Sequence, residues 1–114
     1  AKMKILLVED DEHLRFVYKT ALDKHHEVIA VQNAQEAWPY ILPNLDVLIT
    51  DHHLGVGLTG IELCELSHEV FPKLPMILVT ADTTVTHPSY VFVLFKPFTL
   101  AKLLHCIEQI AGVV

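Results

Sequence analysis

Apolar positions along this chain fall into two alternating spacings. Residues 4–8 (KILLV), 27–31 (EVIAV), 46–50 (DVLIT), 75–80 (PMILVT) and 90–95 (YVFVLF) are short apolar runs, too short for buried helices, and predict five strands. Between the first two, Leu14, Val17, Tyr18, Ala21 and Leu22 recur at steps of three and four. That spacing predicts a helix with Arg15 and Lys19 facing water and Asp11 as its N-cap. Asn33 can cap a short helix carrying Ala34, Ala37 and Trp38 before Pro39 and Pro43 stop it. Residues 60–71 (GIELCELSHEVF) predict a further helix stopped by Pro72. Thr99 can cap a last one with Leu100, Leu103, Leu104, Ile107 and Ile110 as its stripe.

Strands alternating with helices predict an α/β fold, a parallel sheet with helices on both faces. One connection breaks the rhythm. Residues 81–89 (ADTTVTHPS) are rich in β-branched residues and hold a proline, so a loop or single turn is expected there.

The chain has 114 residues, enough for one domain spanning residues 1–114 with a real core. Its 52% hydrophobic content suits central strands covered on both faces. A formal net charge of −6 argues against direct contact with a nucleic acid, which requires a basic footprint. No apolar run approaches the roughly 18 residues of a membrane span, so no membrane contact and a cytoplasmic location are expected. Cys64 and Cys106 lack CxxC spacing and are expected as buried thiols.

The first apolar run ends in Glu9, Asp10 and Asp11. Like charges placed side by side repel, so water, hydrogen bonds or a cation must offset them. Ligands in open parallel sheets bind outside the carboxyl ends of the strands. That rule brings Glu9, Asp10, Asp51, Thr80 and Lys96 to one edge, since each ends or follows a predicted strand. Hard carboxylate oxygens suit Mg²⁺, and such a site, with Lys96 opposite, stabilises a phosphoryl group in transfer. The eight histidines do not suggest zinc, because the adjacent pairs His25–His26 and His52–His53 point to opposite sides of an extended chain.

In order, ILLVEDD, DVLITDHHL, TGIEL, ILVTA and LFKPF make the chain resemble the receiver domains of two-component response regulators. The resemblance implies a doubly wound, flavodoxin-like sheet of strand order 2-1-3-4-5. It also implies phosphorylation of Asp51 by a histidine kinase or a histidine phosphotransfer protein, with a downstream protein reading the result. On that pattern Glu9, Asp10 and Asp51 hold Mg²⁺ with the backbone carbonyl of His53. Thr80 and Lys96 contact the phosphoryl oxygens, and Pro97 follows a cis peptide bond. His53 and Asp82 occupy positions where the family tunes phosphoryl lifetime. Such a protein is a switch that catalyses its own phosphotransfer and slow dephosphorylation, not a conventional enzyme.

Three departures stand against the family pattern. Gly55 replaces a common proline in a loop one residue longer than usual, Val93 replaces a switch aromatic, and the shortened 81–95 stretch leaves the fourth helix absent or reduced. A degenerate receiver acting only as an interaction module is therefore an alternative. An aspartyl phosphatase fits less well, because His53 stands where a second acid is needed. A flavin-binding domain fits poorly, since the acids after the first strand would repel a cofactor phosphate.

Overall fold

The computed structural model describes residues 2–112. Its elements are β1 (Lys4–Val8), α1 (Glu12–Leu22), β2 (Glu27–Val31), α2 (Ala34–Ala37), a 3₁₀ turn (Trp38–Tyr40), β3 (Val47–Asp51), α3 (Gly60–Val70), β4 (Met76–Thr80), β5 (Val91–Phe95) and α4 (Leu100–Ile110). All strand pairs are parallel and their order is β2-β1-β3-β4-β5. This is the doubly wound, flavodoxin-like topology expected from the sequence.

Alternation along the strands divides the core in two. Leu6, Val8, Leu48, Met76 and Leu78 face α2 and α3, whereas Ile5, Leu7, Val47, Ile49, Ile77 and Val79 face α1 and α4. Both β3 and β4 are buried at all five positions. Each large aliphatic side chain removed from water there contributes about 1.5–3 kcal/mol before entropy is counted.

Helix starts follow the expected caps. Asp11 accepts from Leu14 N at 2.9 Å, Asn33 from Glu36 N at 2.9 Å and Thr99 from Lys102 N at 3.0 Å. Thr59 and Glu62 form a reciprocal capping box at the start of α3. Trp38 lies in the 3₁₀ turn beyond α2, because Pro39 supplies no amide to continue an α-helix. Both cysteines are free and buried.

Between β4 and β5 there is no helix. Asp82 instead organises a turn, its Oδ1 accepting from Thr84 N at 2.9 Å and from Thr84 Oγ1 at 2.6 Å. Val85, Tyr90 and Val93 pack onto the α2–α3 side of the core in place of the missing helix. Tyr90 stacks on His68 of α3, with ring centroids 3.6 Å apart and planes 7° apart.

Candidate functional site

β3 is the central strand, and its burial carries Asp51 to the carboxyl edge of the sheet with only 7% of its surface exposed. Gly60 lies directly against it. A Cβ at that position would stand 2.2 Å from the Asp51 carbonyl oxygen, so only glycine lets α3 begin this close. The Gly60 amide donates to His52 O at 2.9 Å and fixes the same approach.

Around Asp51 the carboxylate is held from two sides. His53 N donates to Oδ1 at 3.1 Å, and Lys96 Nζ donates to Oδ2 at 2.6 Å. Lys96 also lies 3.8 Å from Glu9 Oε1. It arrives from the end of β5, where its amide donates to Thr80 O at 2.9 Å. The following Lys96–Pro97 peptide bond is cis, as expected.

Glu9 is only 2% exposed, whereas Asp10 beside it faces solvent. Burial pushes the Glu9 carboxyl up to about 8; the Asp51 charge adds to this, while the Asp11 amide and Lys96 oppose it. Burial also works against the Lys96 ammonium, but its bond to Asp51 and the charges of Asp51 and Glu9 outweigh that and raise it. One ligand oxygen each from Glu9, Asp10 and Asp51 lies within 4.8 Å of the others. Even with Glu9 protonated, Asp10 and Asp51 outnumber the one ammonium, and an oxygen-only donor set of this kind fits a hard divalent cation, whose charge would favour the ionised form of Glu9.

Thr80 ends β4, next to β3, and is 1% exposed. Its hydroxyl oxygen accepts from Asp82 N at 3.1 Å, which leaves the hydroxyl proton free to donate. The His53 side chain is exposed, as is Asp82 two residues beyond Thr80.

One contributor differs from the sequence reading. Arg15 is half-buried and turns back from α1 instead of facing water. Its Nη1 donates to Glu9 O at 2.8 Å and to Asp10 O at 3.5 Å, bracing the backbone that carries the acids. Its place one turn into the helix that follows the acid run was the available signal.

Comparison with known proteins agrees with this architecture. The family model described as response regulator receiver domain matches residues 5–108. The response regulator protein FleR of Pseudomonas aeruginosa is 32% identical over 96% of this chain, and protein RcaC of Microchaete diplosiphon is 36% identical over 74% of it. The chain spans 26% of FleR and 13% of RcaC. Among solved structures, a receiver protein from Sinorhizobium medicae superposes with a TM-score of 0.86 at 22% identity, covering 98% of this chain and 96% of that one. The non-phosphorylated HemR receiver domain of Leptospira biflexa superposes at 0.83 with 28% identity, covering 99% and 97%. The chain therefore belongs to the response regulator receiver domain family of two-component systems.

Proposed function

We propose that this chain is a phosphoaccepting switch, phosphorylated on Asp51 by a histidine kinase or a histidine phosphotransfer protein. The observation that carries this reading is the Asp51 carboxylate. It is clamped between the His53 amide and Lys96 beside two further acids, at the carboxyl edge of the sheet. In the transfer, an Asp51 oxygen bonds to phosphorus as the phosphorus–nitrogen bond to the donor imidazole breaks. The imidazole leaves with a proton. Lys96, which pairs with Asp51, would pair with the phosphoryl oxygens, and the Thr80 hydroxyl would donate to one of them.

Glu9, Asp10 and Asp51, with the His53 carbonyl, would hold Mg²⁺. The ion would supply neutralising charge for the acids and the phosphoryl oxygens. Arg15 holds the Glu9 carbonyl in place throughout. Autodephosphorylation uses the same groups with water as the acceptor. A downstream protein reads the state in the cytoplasm, with no direct nucleic-acid contact by this chain.

The alternative, a degenerate receiver that only binds partners, is favoured by the helix-free connection between β4 and β5 and by Val93. Intact-mass spectrometry after incubation with acetyl phosphate and Mg²⁺ separates the two. A single phosphoryl adduct, lost in Asp51→Asn and with chelator, supports the switch. Absence of an adduct together with failure to bind a stable phosphoryl mimic overturns it.

A further inference from the structure

Charge is distributed unevenly along this chain. Residues 25–72 hold seven carboxylates and no lysine or arginine. A groove formed wholly from this stretch runs between α2, the 3₁₀ turn, the loop after Asp51 and α3. It encloses about 590 Å³ and is lined by Trp38, Pro39, Val56, Leu58, Leu63 and Leu66, among others. Trp38 is 44% exposed, Val56 84%, Leu58 37% and Leu66 40%. Single exposed apolar side chains are ordinary, but four around one concavity mark an interaction site.

Local backbone produces this presentation. Gly55 and Gly57 adopt φ of 77° and 85°, a left-handed conformation that side chains avoid, and between them Val56 is turned outward. On α3, Glu62 and Glu69 lie about one turn to either side of Leu66, and both are exposed. The groove thus has an apolar floor, exposed carboxylates on the adjoining face of α3, and no lysine or arginine from its own elements.

The geometry points to this groove as the docking site for a basic amphipathic helix of a partner protein. No strand residue lines it, so an extended peptide would find no backbone groups to pair with. An occupant must satisfy its own amides and carbonyls, which a helix does. Its apolar stripe would cover Trp38, Val56 and Leu66, and flanking Lys or Arg would meet Glu62 and Glu69. This inference stands on the groove and its charge and does not require Asp51 to be phosphorylated.

Trp38 is the only tryptophan, so its emission reports occupancy directly. The full chain is titrated with a Leu/Lys peptide patterned as an amphipathic helix, the same composition scrambled to destroy the apolar face, and a Leu/Glu analogue. A saturable blue shift is expected with the Leu/Lys helix alone. Affinity should fall at least about tenfold in Val56→Ser/Leu66→Ser and several-fold in Glu69→Lys. All three positions are exposed, so the fold is retained. The inference is overturned by no saturable response, by equal response to either control peptide, or by undiminished affinity in either variant. Sedimentation showing a dimer of the chain that Val56→Ser/Leu66→Ser dissolves would also overturn it, since the occupant would then be a second copy.

Discussion

β3 and β5 each deliver one of the two groups in the shortest ion pair of the site, but under opposite conditions. β3 is central, buried at every position, and ends in Asp51. β5 is an edge strand with Phe92 and Phe95 exposed, and precedes Lys96. The contrast teaches that Asp51 is fixed by core packing, whereas its counter-charge hangs on an edge stabilised by side-chain substitutes for a helix. Two of the three departures from the family pattern, Val93 and the shortened 81–95 stretch, gather at the β5 edge, while the third, Gly55, lies in the loop that follows Asp51.

The sharpest way to break this comparison is Leu48→Ala in β3, which should cost about 2–5 kcal/mol in denaturant unfolding because a cavity opens between two covered faces. An equal loss from Phe95→Ser would show that the two strands are not different after all. Next in size, Gly60→Ala should cost about 1–3 kcal/mol, since its methyl cannot fit against the Asp51 carbonyl. It should also slow any Asp51 phosphorylation, readable in the same mass assay. Tyr90→Ala should cost about 1 kcal/mol through loss of the His68 stack, with faster hydrogen exchange confined to β5 and residues 81–90.

A fourth test addresses the opposite edge. His26 is buried, its Nδ1 accepts from Met3 N at 3.2 Å, and burial lowers its pKa. A lowered folded value favours the neutral ring. The stabilisation is present above the ordinary 6.5 and is lost as pH falls through the folded value. Thermal stability should therefore fall as pH drops from 6.5 toward the folded value, and His26→Gln should flatten that slope at a cost of about 1 kcal/mol. The smallest effect is expected for Phe95→Ser, below about 1 kcal/mol, because the residue is already 42% exposed.

Sequence patterning made the strands legible because short runs such as 46–50 and 75–80 have no alternative period to confuse them. Asp51 and Lys96 stood out because a charged residue ending an apolar run must emerge where the strand does. Other features depended on tertiary geometry. The sequence brings Glu9 to the site edge beside Asp10 but does not tell the two apart, and only the fold shows Glu9 beneath Lys96 at 2% exposure. Arg15 reads as the polar side of a helix, yet its long side chain reaches back to the Glu9 carbonyl. The groove at Trp38, Val56 and Leu66 was invisible, because periodicity marks apolar residues without telling which of them the fold leaves uncovered.

The fit of Gly60 against Asp51 has a mechanical consequence. With no space between the first turn of α3 and the Asp51 carbonyl, and a hydrogen bond from Gly60 to His52 beside it, the end of β3 and the start of α3 form one rigid joint. Any shift of the Asp51 backbone must carry α3 with it, as the short arm of a lever carries the long one. Leu66, two turns further along, rides on the long arm, so a small movement at the acid would emerge as a larger displacement of the groove wall.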